Sequence, residues 1–392
     1  MYSRIKTLSV QGSLLCICAT FGFSQGVLWV IQPILLENTI LNITDFNKIM
    51  GLGSALFLLG IPFWWLIQRE IGYQKVLLCA LLMVGVSQGL LFIICANLLS
   101  SNVNADLFLL SRIIYGMSAS TLVPTSQAMI GAVAIDKVAG YSRLSVALSV
   151  GRLSAPLVSL LLLFISNSAP AFFSAFSFFL IYAVLHLKEL NNTCGRHKVS
   201  TGEGFNRIYI NNELALILSI ALLAQICFGM FQFILAIWLI ETLHWRTEQV
   251  TQYITYLLII CSFTIILAQL YLLPKCRENP FLLLPIVVIF VSAIYLLTIY
   301  PSSMLIGFSF LLIVLWVTLL YPLYLHIAIE AGKNVDKGFT TSLIAVVHII
   351  GYSIGGGVSG YFFEIFEEKI FTIVLAIFVV TSCLFYFVSN KH

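Results

Sequence analysis

Charged residues are scarce in this chain: of its 392 residues only 9% are Asp, Glu, Lys or Arg, whereas 60% are hydrophobic. A soluble domain carries about a quarter of its residues as charges. The composition therefore excludes a water-soluble enzyme and a soluble nucleic-acid-binding protein, and the net charge of +4 is too small to indicate an attraction to polyanions. The sequence predicts a protein that resides in a lipid bilayer.

Residue groups that bind metals or catalyse reactions are also missing. The nine cysteines lie mostly in apolar runs and lack the paired spacings of metal sites or secreted disulfide frameworks. The acidic residues are scattered, and their one cluster, Glu364, Glu367 and Glu368, has no histidine beside it. We therefore expect no metal, no cofactor and no enzymatic activity; a polytopic membrane enzyme is the less favoured alternative.

Twelve apolar runs are long enough to cross a bilayer, which takes about 20 residues each. The runs lie near 10–35, 47–68, 75–96, 107–133, 143–166, 169–187, 212–241, 250–273, 281–300, 302–327, 339–363 and 370–388. A polar, basic stretch separates the first six from the last six. The pattern predicts an all-α membrane protein with twelve transmembrane helices, in which 1–187 and 212–392 form two pseudo-symmetric six-helix bundles joined by a cytoplasmic linker loop, 188–211.

Lysine and arginine are distributed unevenly among the predicted loops. With the N-terminus in the cytoplasm, fifteen of the twenty basic residues fall on the inner side, and only Lys48, Arg246 and Lys369 fall on the outer side. Loops rich in basic residues remain cytoplasmic. We therefore expect a multi-pass protein of the inner (cytoplasmic) membrane with both termini in the cytoplasm, and we expect it to be a monomer.

Two arginines, Arg112 and Arg152, lie inside predicted helices. A charge at the centre of a spanning helix costs about 2.5–3.5 kcal/mol on insertion scales. All sixteen acidic residues fall in loops or near helix ends, so a substrate anion is one counter-charge available to these arginines. The alternative is that each arginine only ties helices together through backbone carbonyls. Arg152 lies deeper in its helix and is the stronger candidate for substrate binding.

Further polar side chains line single faces of the predicted helices. Ser149 shares a stripe with Arg152, Gln25 shares a face with Trp29, and Gln225 lies seven residues before Gln232. Ordinary hydrogen bonding between helices is the alternative for each glutamine. The candidate substrate-binding residues are Arg152, Arg112, Gln25, Trp29, Tyr115, Ser149, Gln225, Gln232, His348 and Tyr352.

One histidine, His348, lies near the predicted midplane of the second half, on the same helical face as Tyr352. Histidine is the side chain that ionises nearest to neutral pH. We therefore expect protons as the coupling ion and His348 as the proton-coupling residue. A neutral, hydrogen-bonded histidine is the alternative.

The fourth and fifth predicted helices carry motifs. The fourth reads Arg112-Ile-Ile-Tyr-Gly116 and continues to Pro124, and the fifth reads Gly151-Arg-Leu-Ser-Ala155-Pro156-Leu-Val-Ser. The first spacing resembles the helix 4 signature of the major facilitator superfamily, particularly its drug/proton antiporter-like exporters of the multidrug or siderophore type. The second resembles their antiporter motif Gly-x-x-x-Gly-Pro-x-x-Gly, with Ala and Ser replacing two glycines.

The glycine pattern of the fifth helix recurs in the eleventh, where Gly351 and Gly355 match Gly151 and Ala155, and Tyr352 stands where the first half has Arg152. This recurrence supports duplicated halves. Between the second and third helices the superfamily commonly carries Gly-x-x-x-Asp-Arg-x-Gly-Arg-Arg, but here only a glycine and the basic end remain. The expected conformational motif residues are Gly116, Pro124, Gly151, Ala155, Pro156, Gly355, Arg69 and Gly72.

The resemblance implies a carrier that works by alternating access, in which two halves rock about a midplane site and the substrate is not altered. We expect a secondary active transporter of a small anionic organic molecule, of the carboxylate siderophore or organic acid type, coupled to protons and directed to export. An importer of the same substrate class and a multidrug efflux pump are the alternatives. The expected partners are the small-molecule substrate, protons and the lipid bilayer, without nucleic acid.

Overall fold

The computed structural model describes residues 2–133, 137–187, 212–331 and 337–390, and within these ranges it contains helices and turns but no strand. The predicted linker, 188–211, lies outside the described residues. The predicted division of the chain into 1–187 and 212–392 therefore stays a prediction.

Six helices precede the linker and seven follow it. The first six are α1 (Tyr2–Thr39), α2 (Ile43–Ile71), α3 (Tyr73–Cys95), α4 (Ser101–Val133), α5 (Lys137–Leu163) and α6 (Ala169–Leu187). The others are α7 (Asn212–Glu241), α8 (Thr247–Leu267), α9 (Leu273–Glu278), α10 (Leu284–Ile299), α11 (Ser303–Ala331), α12 (Lys337–Phe366) and α13 (Ile370–Ser389).

One membrane span is built from two helices. A π-helical turn, Ala268–Leu272, joins α8 to α9, and Pro274 lies in the first turn of α9. Proline supplies no backbone N–H and crowds the preceding turn, so the regular α-helical ladder is interrupted there. Counting Thr247–Glu278 as one span, the described residues contain twelve helical spans long and apolar enough to cross a membrane. The predicted twelve-helix, all-α membrane fold is confirmed.

The helices separate into two compact units. Among the described residues, unit 1 comprises 2–41, 55–133, 137–187 and Thr251–Tyr256, and unit 2 comprises Asn42–Ser54, 212–250, 257–331 and 337–390. The start of α2 belongs to unit 2, and a short part of α8 belongs to unit 1.

In unit 1 the tightest helix contact joins α1 to α5. A Cβ atom added to Gly22 would collide with the carbonyl oxygen of Leu148, and one added to Gly151 would collide with the carbonyl oxygen of Ala19. Glycine lets two helix backbones approach this closely. The small-residue motif of α5 therefore acts by packing against a matching pair of glycines in α1.

In unit 2 the same contact joins α7 to α12. A Cβ on Gly351 would lie 2.6 Å from the carbonyl oxygen of Leu222, and one on Gly229 would lie 3.0 Å from that of Tyr352. Around these helices the core is aromatic: the ring centroids of Phe290 and Phe378 are 4.2 Å apart. Each unit is thus built on one close helix pair made possible by glycine.

Methyl groups added to these glycines test the helix contacts. We expect Gly151→Ala and Gly351→Ala each to destabilise the protein by about 1–3 kcal/mol, because the new methyl group meets backbone atoms that cannot give way. The matched control is Gly89→Ala in α3, where no atom lies within 4 Å of the added Cβ. That change should be neutral or stabilising, since alanine favours a helix over glycine.

Thermal unfolding of the detergent-purified variants measures the effect. Equal melting temperatures for Gly151→Ala, Gly351→Ala and Gly89→Ala would contradict the proposed role of the two close contacts.

Candidate functional site

The close approach of α1 and α5 determines where the Arg152 side chain lies. A Cβ on Gly22 would lie 3.1 Å from the backbone nitrogen of Arg152, and one on Gly26 would lie 3.0 Å from its carbonyl oxygen. With the backbones so near, the Nε of Arg152 donates a hydrogen bond of 2.7 Å to the Oε1 of Gln25 on α1. The Arg152 side chain is exposed. The glycine contact therefore holds an accessible guanidinium beside α1.

Tyr115 joins α4 to α1 and lies against Arg112 of its own helix. Its hydroxyl is 3.4 Å from the Oγ of Ser24, and its ring centroid is 5.0 Å from the guanidinium carbon of Arg112. A cation within about 6 Å of an aromatic face is attracted by the ring. Arg112 is only 4% exposed, whereas Arg152 is exposed. A buried guanidinium thus lies against the ring of a buried tyrosine.

The remaining candidates in unit 1 are Trp29 and Ser149. Trp29 is half-buried on α1, one turn beyond Gln25. Ser149 is exposed on α5, but its hydroxyl donates to the carbonyl oxygen of Ser145 in its own helix, at 3.0 Å. The hydrogen bond that joins Arg152 of α5 to another helix therefore involves Gln25, which follows Ser24, the α1 residue that contacts Tyr115 of α4.

In unit 2, Tyr352 joins α12 to α7. Its hydroxyl donates to the Oε1 of Gln232 at 3.3 Å, and its ring centroid lies 6.2 Å from that of Phe228 and 5.6 Å from that of Phe233. Gln232 is nearly buried, whereas Tyr352 and Phe228 are half-buried. The hydroxyl of Tyr352 therefore has a hydrogen-bond partner within unit 2, and its ring packs against the rings of Phe228 and Phe233.

His348 lies in a second polar cluster of unit 2. Its Nε2 is hydrogen-bonded to the hydroxyl of Tyr324 on α11, and the ring of Tyr321 meets the imidazole edge-on with centroids 5.1 Å apart. Gln225, the other predicted residue here, lies on α7 at its close contact with α12, where a Cβ on Gly351 would be 2.9 Å from the Cβ of Gln225. The hydrogen bond from α11 to His348 therefore comes from a tyrosine that is not among the sequence candidates.

The two units use equivalent positions differently. Gly151 packs on Ala19 and Phe23 in the way that Gly351 packs on Leu222 and Ile226. In this register Arg152 is equivalent to Tyr352, and Gln25 is equivalent to Phe228. Each pair is in contact within its own unit: a guanidinium with an amide in unit 1, and two aromatic rings in unit 2.

Sequence comparison now identifies the family, because the model of the Major Facilitator Superfamily matches residues 14–356. The chain belongs to the major facilitator superfamily. It is accordingly a multi-pass membrane transporter of a small-molecule substrate and not an enzyme, as the sequence predicts. No curated protein sequence matches the chain.

Solved structures of superfamily transporters show the same fold at low sequence identity. A bacterial homologue of the human lysosomal transporter Spinster, in an inward-facing and unoccupied conformation, has 14% identity and a TM-score of 0.70, with 98% of this chain and 97% of that chain covered. The nucleoside transporter NupG has 11% identity and a TM-score of 0.73, with 97% and 98% covered. At such identities the likeness concerns the fold alone.

The superfamily motifs of α4 and α5 lie in unbroken helices. Gly116 and Pro124 are inside α4, and Pro156 is inside α5. The Cβ of Ala155 faces Gly26 of α1 directly, and Gly355 lies against the backbone of α7, where a Cβ would be 3.0 Å from the nitrogen of Met230. In both units the small residues of the motif therefore serve the close helix contact.

The short connection between α2 and α3 departs from the superfamily pattern but keeps its glycine. Gly72 has φ 85° and ψ 158°, and it directly precedes the first residue of α3. Only glycine adopts this backbone region readily. Arg69 lies over the ring of Trp65 with its guanidinium carbon 3.5 Å from the centroid, so this arginine stacks on its own helix.

Three residues of these clusters were missed among the sequence candidates. Ser24 contacts Tyr115, Phe228 contacts Tyr352, and Tyr324 contacts His348. Of the three, only Tyr324 stands out in the sequence, because it and Tyr321 lie near the end of the tenth apolar run. A pattern within one helix does not reveal the partner on another.

Replacing Gly72 with alanine should destabilise the α2–α3 connection. We expect a loss of about 1–3 kcal/mol, because a side chain is strained at this φ. Gly12→Ala is the matched control, since both glycines have no atom within 4 Å of an added Cβ and only Gly72 has a positive φ. Thermal unfolding reports the difference, and equal stability of the two variants would refute backbone strain at Gly72.

Proposed function

We propose that this superfamily member carries a small organic anion, and that Arg152 binds the negative charge of the substrate. The observation that carries the proposal is the exposed guanidinium of Arg152, which is hydrogen-bonded to Gln25. The residue before Gln25, Ser24, contacts Tyr115, whose ring lies against the buried Arg112. The bond to Gln25 orients the guanidinium before a substrate arrives, which lowers the entropy lost on binding.

The charge of the site favours an anion over a cation. A guanidinium is planar, remains charged, and matches a carboxylate with two parallel hydrogen bonds. Arg112, which lies against the ring of Tyr115, adds a second positive charge to the same unit. A lipophilic cation, the cargo of a multidrug pump, would be repelled by both arginines. A carboxylate siderophore or an organic acid fits this chemistry.

The direction and the topology are part of the proposal. The antiporter-like motif of α5 favours proton-coupled export through the inner membrane, with His348 as the proton-coupling residue. The distribution of basic residues favours both termini in the cytoplasm, with six-helix bundles at 1–187 and 212–392 and a cytoplasmic linker at 188–211. We propose a monomer. Uptake of the same anion is the alternative, and transport in vesicles of known orientation distinguishes the two directions.

Substitutions at Arg152 test the anion site. We expect Arg152→Ala and Arg152→Tyr to raise the KM for an anionic substrate about 10- to 100-fold, because hydrogen bonds to a charged group contribute about 1.5–3 kcal/mol. Arg152→Lys should retain part of the affinity. Tyrosine is a useful replacement because unit 2 holds Tyr352 at the equivalent position. Counterflow of citrate and related organic acids in proteoliposomes provides the measurement.

The matched control is Arg277→Ala, since this arginine is also exposed but lies on α9. It should leave the KM unchanged. Unchanged affinity in all three Arg152 variants would refute the anion site, and counterflow of a neutral nucleoside in place of any organic acid would refute the substrate class.

Removing the titratable group at His348 tests proton coupling. We expect His348→Gln to abolish accumulation driven by a pH gradient and to leave counterflow within about twofold of wild type, because counterflow requires no net proton movement. His326→Gln, at an exposed position of α11, is the control and should keep both activities. Equal loss of accumulation and counterflow in His348→Gln would indicate a role in binding or folding instead.

A further inference from the structure

Helix α2 is attached to both compact units. Its residues up to Ser54 belong to unit 2, and the remainder of the helix belongs to unit 1. In unit 1 the indole Nε1 of Trp64 donates a hydrogen bond of 2.8 Å to the carbonyl oxygen of Met117 on α4. A Cβ on Gly60 would lie 2.6 Å from the same oxygen. One helix therefore makes a close contact in each unit.

The α2–α12 contact joins residues 44–51 of α2 to residues 357–364 of α12 within unit 2. A Cβ on Gly51 would lie 2.9 Å from the Cα of Gly357, and one on Gly360 would lie 2.8 Å from the Cα of Thr44. Positions three and seven residues apart share one face of a helix. The two backbones therefore approach closely along one face of each helix.

The carboxylate of Glu364 stabilises one end of the α2–α12 contact. Its Oε1 accepts a hydrogen bond of 3.2 Å from the backbone N–H of Thr44, in the first turn of α2. The first N–H groups of a helix have no partner within the helix, and a negative charge beside them is favourable. Glu364 is exposed and lines a cavity of about 890 Å³. This hydrogen bond therefore closes the contact at a point that water reaches.

A buried asparagine opposes the same contact. Asn47 is 0% exposed, and among the described residues neither its Oδ1 nor its Nδ2 has a hydrogen-bond partner. The hydroxyl of Thr44 is also buried and lacks a partner within this part of the chain. Burying a polar group without a partner costs the desolvation of that group. Separation of the helices would let water hydrate both groups, so they favour an open contact.

We propose that the α2–α12 contact opens and closes during transport, and that Asn47 and Glu364 are positioning residues that set the balance between the two states. In alternating access two halves move against each other, and a helix attached to both units cannot keep both contacts unchanged. The contact with α4 pairs the indole N–H of Trp64, whereas the contact with α12 buries unpartnered polar groups. The contact with α12 is therefore the one that opens.

Chemical labelling at position 44 measures the open state. Thr44 is 7% exposed, so a cysteine at this position should react with a charged, water-soluble maleimide only when the contact opens. The Thr44→Cys protein is purified in detergent, and mass spectrometry of the peptide that contains position 44 gives the labelling rate with the native cysteines retained. We expect measurable labelling of the folded protein. Its absence, with the melting temperature unchanged, would show that the contact does not open and would overturn the proposal.

Second substitutions in the Thr44→Cys protein should change the labelling rate in opposite directions. Asn47→Leu has a similar shape without polar atoms and should slow labelling about tenfold, because the closed contact no longer buries an unpartnered amide. Glu364→Ala removes the acceptor and should accelerate labelling about fivefold. Glu364→Gln keeps an acceptor and should stay within about twofold. Glu241→Ala is the matched control, since Glu241 lines the same cavity, and it should leave the rate unchanged.

The opposite directions distinguish this balance from a general loss of stability, which would accelerate labelling in every variant. Unchanged or faster labelling in Asn47→Leu would overturn the role of Asn47. Equal rates in Glu364→Ala and Glu364→Gln would overturn the role of Glu364. Because the measurement needs no substrate and does not involve Arg152, the anion proposal can fail while the α2–α12 contact is found to open.

Discussion

The close approach of two helix backbones at glycine is the constraint on which each unit depends. Without a Cβ at Gly151 the α5 backbone reaches α1, and without one at Gly351 the α12 backbone reaches α7. In lipid, apolar side chains gain little by leaving their surroundings, so packing of this kind carries much of the helix association. The contact also positions functional side chains, because the residue after each glycine, Arg152 or Tyr352, is held against the neighbouring helix.

Equivalent positions of the two units have acquired different chemistry. In unit 1 the guanidinium of Arg152 is hydrogen-bonded to the amide of Gln25, and a second arginine, Arg112, lies against the ring of Tyr115. In unit 2 the equivalent residues are two rings in contact, and the titratable group is His348, held by Tyr324. A similar close helix contact therefore carries the proposed anion site in one unit and the proposed proton site in the other.

Much of the fold followed from the sequence because bilayer thickness sets the length of an apolar run. All twelve spans were predicted, but α1 and α4 begin several residues before the predicted runs and the span of α8 and α9 ends several residues after its run. The π-helical turn at Ala268–Leu272 gave no signal in hydropathy. The candidate site was predicted in part. Polar residues that share one helical face stand out in a sequence, so Gln25 and His348 could be named as candidates. Ser24 and Tyr324 belong to the clusters only through contacts with residues of other helices, which the sequence does not show.

Composition and periodicity by themselves determined the environment, the helical class and the scarcity of charge inside the spans, because each depends on residue type along one stretch of chain. Only the tertiary structure decided which charges meet which partners. Arg112 is buried against the ring of Tyr115, whereas Arg152 is exposed and hydrogen-bonded to the side-chain amide of Gln25. The sequence shows only two arginines in neighbouring helices and does not reveal this difference. Such contacts depend on how closely helices approach and how they are rotated, which is a property of the packed bundle.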